Sequence, residues 1–118
     1  MLLGLPKRIF LYSQSVDMRK GFNGLSGIVT QQMGGNALSG DAFVFVGRRK
    51  DRLKLLVWEP SGFVLYYKRL EAGTFRLPSG NQLSVELSSA ELWALLEGLD
   101  VEVKHRRKRW SIPQPLSA

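Results

Sequence analysis

Apolar residues recur at two different periods along this chain, and the changes of period mark its elements. Ile9, Phe10, Leu11 and Tyr12 form a bulky β-prone run, so residues 8–13 are expected as a first strand. From Asp17 the spacing lengthens. Met18, Phe22, Leu25, Ile28, Val29 and Met33 recur on one helical face, with Asp17 at the position of an N-cap. Gly21, Gly24 and Gly27 weaken that helix by up to about 1 kcal/mol each relative to Ala. They also leave one side bare, open to close approach by a neighbouring backbone. Gly34-Gly35-Asn36 ends the segment.

The period shortens again at Ala42. Phe43-Val44-Phe45-Val46 is a continuous apolar run, and residues 53–58 form another with Lys54 as its only charged member. Two such runs joined by the short polar loop 47–52 predict a hairpin. Glu59-Pro60-Ser61-Gly62 predicts a turn, because proline presets φ at the second position. Residues 63–68 then return as the third strand of an antiparallel meander. Thr74-Phe75-Arg76-Leu77 reads as a short extended piece within a loop, and residues 82–87 as a further strand. Ser88 and Glu91 have capping-box spacing ahead of a second helix. Leu92, Leu95, Leu96 and Leu99 supply the apolar face of that helix, and Gly98 suits its end.

The pattern predicts the α+β class. It implies one small domain over residues 1–103, with a three-stranded meander plus one or two further strands and two helices packed on one face of an antiparallel sheet. Val101, Glu102 and Val103 are candidates for a last strand. Beyond them, residues 104–118 read as a basic, partly disordered tail, because Pro113 and Pro115 discourage regular structure.

Composition changes this picture in one respect. The 118 residues carry 44% hydrophobic and 23% charged side chains, ordinary for a globular domain, but a formal net charge of +7. The absence of cysteine excludes disulfides and thiolate chemistry, and the single histidine, His105, excludes a His-based zinc site within one chain. The opening Met1-Leu2-Leu3-Gly4-Leu5 is too short for a membrane span, so the expected location is the cytoplasm, with no membrane partner.

Ten of the seventeen basic residues fall in two stretches. Arg48, Arg49, Lys50, Arg52 and Lys54 lie on the predicted hairpin. Lys104, Arg106, Arg107, Lys108 and Arg109 lie in the tail, beside Trp110. Such density repels itself and persists best where a polyanion neutralises it. A rigid hairpin tip can enter a DNA groove or lie along phosphates. Arg19 and Lys20 open the first predicted helix, whose N-terminus also attracts phosphate. Lys68, Arg69 and Arg76 are candidates to extend the same surface. Neutralising ~6 phosphates implies a salt slope of about −5. The plainer reading is that hairpin and tail charges are solvated and serve solubility.

Tyr66 and Tyr67 are adjacent in a strand and must face opposite ways, so one of them is expected to be exposed and available to stack on a base. Core packing is the commoner use of such rings. A two-metal nuclease requires converging carboxylates. Asp17, Glu59 and Glu71 are the nearest candidates, but their spacing marks no site, and no phosphate loop or catalytic triad is present. The expectation is no enzyme, no cofactor and no metal.

One stretch carries more than patterning. Asp17-Met18-Arg19-Lys20-Gly21-Phe22-Asn23-Gly24-Leu25 resembles the opening of the small accessory protein of insertion sequences of family sixty-six. Phe43-Val44-Phe45, residues 48–54, Trp58 with Gly62-Phe63, residues 67–71, Gly73-Thr74-Phe75-Arg76 and residues 95–99 fit the same pattern in order, from about Arg8 to Asp100. The resemblance implies a protein encoded beside a transposase and assisting movement of the element, with the catalytic acids in that separate, larger protein. Its expected partners are DNA, at the element ends, and the transposase with other element-encoded proteins. Self-association is left open. A second reading is a docking module for the transposase without DNA contact, using the glycine-ridged helix or Trp93. A third is RNA binding through Tyr66 or Tyr67.

Overall fold

The run Phe43-Val44-Phe45-Val46 lies at the centre of the molecule, in a computed structural model that describes residues 6–100. Strands β1 (Ile9–Val16), β2 (Ala42–Gly47), β3 (Arg52–Glu59), β4 (Gly62–Arg69) and β5 (Ser84–Leu87) form one sheet, in the order β4-β3-β2-β1-β5. Helices α1 (Phe22–Gln31) and α2 (Ser89–Leu96) complete it. Every position of β2 is buried, as expected of a strand covered on both faces. Strands β2, β3 and β4 make the antiparallel meander, with Val46 opposite Leu53 and Glu59 opposite Gly62.

The class is α+β, and two details differ from the sequence-based expectation. The first is that β1 and β2 are parallel, with Ile9 opposite Ala42 and Val16 opposite Gly47, so the sheet is mixed. The connection between them contains α1 and is long enough for the crossover that parallel strands require. The second is that the helices cover opposite faces. Leu25 and Val29 of α1 pack with Tyr12, Val16, Phe43, Phe45 and Leu56, whereas Leu95 of α2 packs with Leu11, Val44, Val46, Leu53 and Leu55. Alternation along β2 sends successive side chains to the two cores.

Helix α1 starts at Phe22, with Gly21 as its N-cap. Asp17 is therefore not the cap. Its Oδ1 accepts the Arg19 backbone N–H at 2.9 Å, and its carbonyl accepts the Lys20 N–H at 3.0 Å, forming a separate turn. The bare glycine side of α1 is not approached by another backbone. A Cβ at Gly21 or Gly27 would meet nothing within 4 Å, and one at Gly24 would meet only the Lys20 side chain.

The predicted capping box of α2 forms: Ser88 Oγ accepts the Glu91 N–H at 3.1 Å and Glu91 Oε1 accepts the Ser88 N–H at 2.7 Å. Ser88→Ala is expected to lower stability by about 1 kcal/mol, read from the urea midpoint. An unchanged midpoint contradicts that role. Gly98 takes the left-handed conformation, φ 76°, that ends the helix, while Leu99 is left half exposed. Residues 74–77 form no strand, yet Phe75 is 1% exposed, inserted into the α2-side core. The expected strand at 101–103 and the tail at 104–118 lie outside the described residues. Among the described residues no helix is long and apolar enough to cross a membrane.

Candidate nucleic-acid interface

Because β1 and β2 run parallel, their carboxyl ends finish side by side at Val16 and Gly47. The chain leaves β1 through the turn at 17–20 and leaves β2 through the hairpin tip at 48–51. A cleft of about 570 Å³ opens between them. Arg19, Arg48, Arg49 and Arg52 line it, with Asp17 and Asp51. Two segments some thirty residues apart thus contribute arginines to one hollow.

The hairpin tip is braced. The Lys50 N–H donates to the Gly47 carbonyl at 2.9 Å. The carbonyls of Lys50 and Asp51 accept the N–H groups of Phe75 at 2.6 Å and Leu70 at 2.8 Å. Lys50 has φ 63°, a left-handed conformation that costs a non-glycine residue on the order of 1 kcal/mol and is held here by those bonds. Arg48, Arg49 and Lys50 are exposed and make no ion pair with any described residue.

Arg19 is held differently. Its Nη2 lies 2.7 Å from Asp17 Oδ2. That side-chain bond, then the backbone N–H of Arg19, holds the Asp17 carboxyl well below the usual carboxylate range, and Asp17 in turn raises Arg19. A lowered carboxyl contributes fully above its ordinary value of 3.8, and the contribution is lost as pH falls below it. The Arg19 turn is accordingly insensitive to pH across the neutral range.

Lys54 departs from the expectation of a phosphate contact. It is 7% exposed, and its Nζ donates to the Met18 carbonyl at 2.7 Å and the Lys20 carbonyl at 2.9 Å. It also stands 4.8 Å from the centre of the Tyr67 ring. A buried ammonium with these partners is a staple that fixes the Arg19 turn over the sheet, and a phosphate outside cannot reach it. Gly47 assists, since a Cβ there would come within 2.8 Å of Met18 Cγ. Lys54→Met leaves two carbonyls without their donor and is expected to cost about 2–3 kcal/mol, measured by urea unfolding. A loss under 0.5 kcal/mol contradicts the staple.

The remaining predicted cations divide. Lys68 faces α2, and its Nζ donates to the Leu96 carbonyl at 2.7 Å and pairs with Glu97 at 3.4 Å. It holds the end of that helix and lies away from the cleft. Arg76 pairs with Asp100 at 3.4 Å, also away from the cleft lining. Arg69 remains on the α1 side, directly opposite Arg52, with its Nε 3.0 Å from Glu71. Lys20 is exposed next to Arg19. Lys104, Arg106, Arg107, Lys108 and Arg109 lie outside the described residues.

Tyr66 packs against the α2-side core, whereas Tyr67 is half exposed on the other face. Of the candidate metal carboxylates, Asp17 is engaged by Arg19 and Glu71 by Arg69. Sequence reading missed Asp51 as a wall of the cleft, although an acid inside so basic a run was visible.

Comparison with known proteins gives a consistent result. The family described as IS66 Orf2 like protein matches residues 7–106. The uncharacterized protein y4jC of Sinorhizobium fredii (strain NBRC 101917 / NGR234) is 39% identical over 93 residues, 79% of this chain and 80% of its own length. The uncharacterized protein y4hO of the same strain is 35% identical over 107 residues, 91% of each chain. No solved structure matches significantly.

Proposed function

We propose, from the premise that this chain belongs to the IS66 Orf2-like family of insertion-sequence accessory proteins, that it assists transposition by binding the DNA of its element. The family is one of accessory proteins and not a known enzyme class. The observation that carries the reading is the cleft beyond the ends of β1 and β2. Four arginines from two distant segments share it, and Arg48 and Arg49 of its lining, like the exposed Lys50 next to them in the tip, have no ion-pair partners among the described residues. Guanidinium groups suit phosphate, because their planar forks donate two hydrogen bonds to one oxyanion. Bracing by residues 70–75 keeps the tip rigid, so little ordering entropy is lost on binding.

The test is an anisotropy titration of the full chain with a duplex carrying the element's terminal repeats. Saturable binding that weakens steeply with salt supports the reading, and its absence at low salt, for the duplex and its separated strands alike, overturns it.

A second reading has its own observation. Trp93 on α2 is 62% exposed, and Leu99 beyond the helix is 50% exposed, on the sheet face away from the cleft. Large exposed apolar side chains favour protein contacts. Under this reading the protein docks onto the element's transposase. A pull-down that survives high salt and nuclease treatment but is lost in Trp93→Ala supports docking, and loss of the pull-down under nuclease rejects it.

A further inference from the structure

We infer that the outer hairpin carries a stacking subsite for single-stranded DNA, built from Tyr67 and the neighbouring Arg52–Arg69 pair. The inference rests on the DNA-binding reading and narrows its ligand.

Three observations converge. Arg52 and Arg69 stand directly opposite each other on β3 and β4, an arrangement that like charges destabilise unless an anion lies between them. Arg52 Nε is buried and has no hydrogen-bond partner among the described residues, so a strong donor lacks an acceptor. Arg52, Arg69 and Tyr67 together line a hollow of about 200 Å³, and Arg52 also lines the larger cleft at the tip. The two hollows thus share one lining residue, Arg52. Acids are near both arginines: Glu71 holds Arg69 Nε at 3.0 Å, and Asp51 lines the tip cleft. Glu71 is well exposed and occupies one edge of Arg69, leaving its other nitrogens to donate.

Tyr67 adds what a phosphate site alone lacks. Lys54 Nζ lies over one face of its ring and fixes the ring's position, while half of the residue is exposed. Among the described residues strand β4 is the edge of the sheet, with no further strand beside it. An aromatic face held rigid beside two arginines fits a base stacked on the ring, with its phosphate bridging Arg52 and Arg69. The next phosphates along the strand then reach Arg48 and Arg49. Duplex DNA keeps its base faces stacked inside and offers none to Tyr67, so the subsite discriminates between the two forms.

The experiment compares anisotropy titrations of the full chain with an oligonucleotide, single-stranded or annealed to its complement, at one salt concentration. The variants are Tyr67→Leu, Tyr67→Phe and Arg69→Gln. Tyr67→Leu is expected to weaken single-strand binding about tenfold and duplex binding less than twofold, with Tyr67→Phe close to the parent. Arg69→Gln, at an exposed position that leaves the fold intact, is expected to weaken single-strand binding more than duplex binding. Equal losses for both forms, or no loss for either, in Tyr67→Leu and Arg69→Gln alike overturn the subsite. Should the parent bind neither form, the DNA-binding reading itself fails. Duplex binding with both variants neutral removes only the subsite.

Discussion

The triple variant Arg48→Gln, Arg49→Gln, Lys50→Gly is expected to bind DNA roughly ten- to a hundredfold more weakly than the parent, while melting at the same temperature or higher. The three side chains are exposed and make no ion pair with described residues, so removing them breaks no native contact of that kind. Glycine at position 50 relaxes the left-handed backbone there, worth on the order of 1 kcal/mol in favour of the fold. Loss of three phosphate contacts shifts affinity by about 0.9 in salt slope per contact. Affinity and stability therefore move in opposite directions in this one variant. A parallel fall of both indicates that the tip is structural, and unchanged affinity removes it from the interface.

Phe75→Ala is expected to cost about 3–5 kcal/mol, a large part of the stability of a domain this size. Phe75 is 1% exposed among the α2-side core residues although it lies in no helix or strand. Its backbone N–H also donates to the Lys50 carbonyl, so the ring anchors the segment that braces the hairpin tip. The variant is expected to lose DNA affinity in proportion to its unfolded fraction, and further if the tip loosens. Urea unfolding gives the measurement, and a loss under 1 kcal/mol means that this segment holds neither the core nor the tip.

Phe75 and the parallel pairing of β1 with β2 mark the limits of what the sequence discloses. The meander, its two turns and the capping box of α2 were legible, because apolar alternation, Pro60 and the Ser88–Glu91 spacing are local signals. Parallel pairing of β1 with β2 was not legible, since it depends on where α1 returns the chain and no local residue announces it. Phe75 looked like part of a loop because a single buried ring has no period to detect.

The cations sorted by a rule that is nonlocal as well. Lys54 lay in an otherwise apolar strand, and that isolation was a sign of burial. Its acceptors belong to the turn at 17–20, a neighbour only in the fold. Lys68 and Arg69 are adjacent in sequence, yet alternation gives one to α2 and the other to the surface bearing Arg52. Density of charge in the sequence fell on a hairpin that forms. It did not separate the side chains committed to the fold from those projecting to solvent.

Neutralisation of DNA phosphates by the hairpin tip and the arginine cleft is read from the salt slopes of parent and triple variant on the same duplex. A steep negative slope is expected for the parent and one shallower by about 2 to 3 for the variant, the change due to three lost phosphate contacts. Equal slopes contradict that neutralisation.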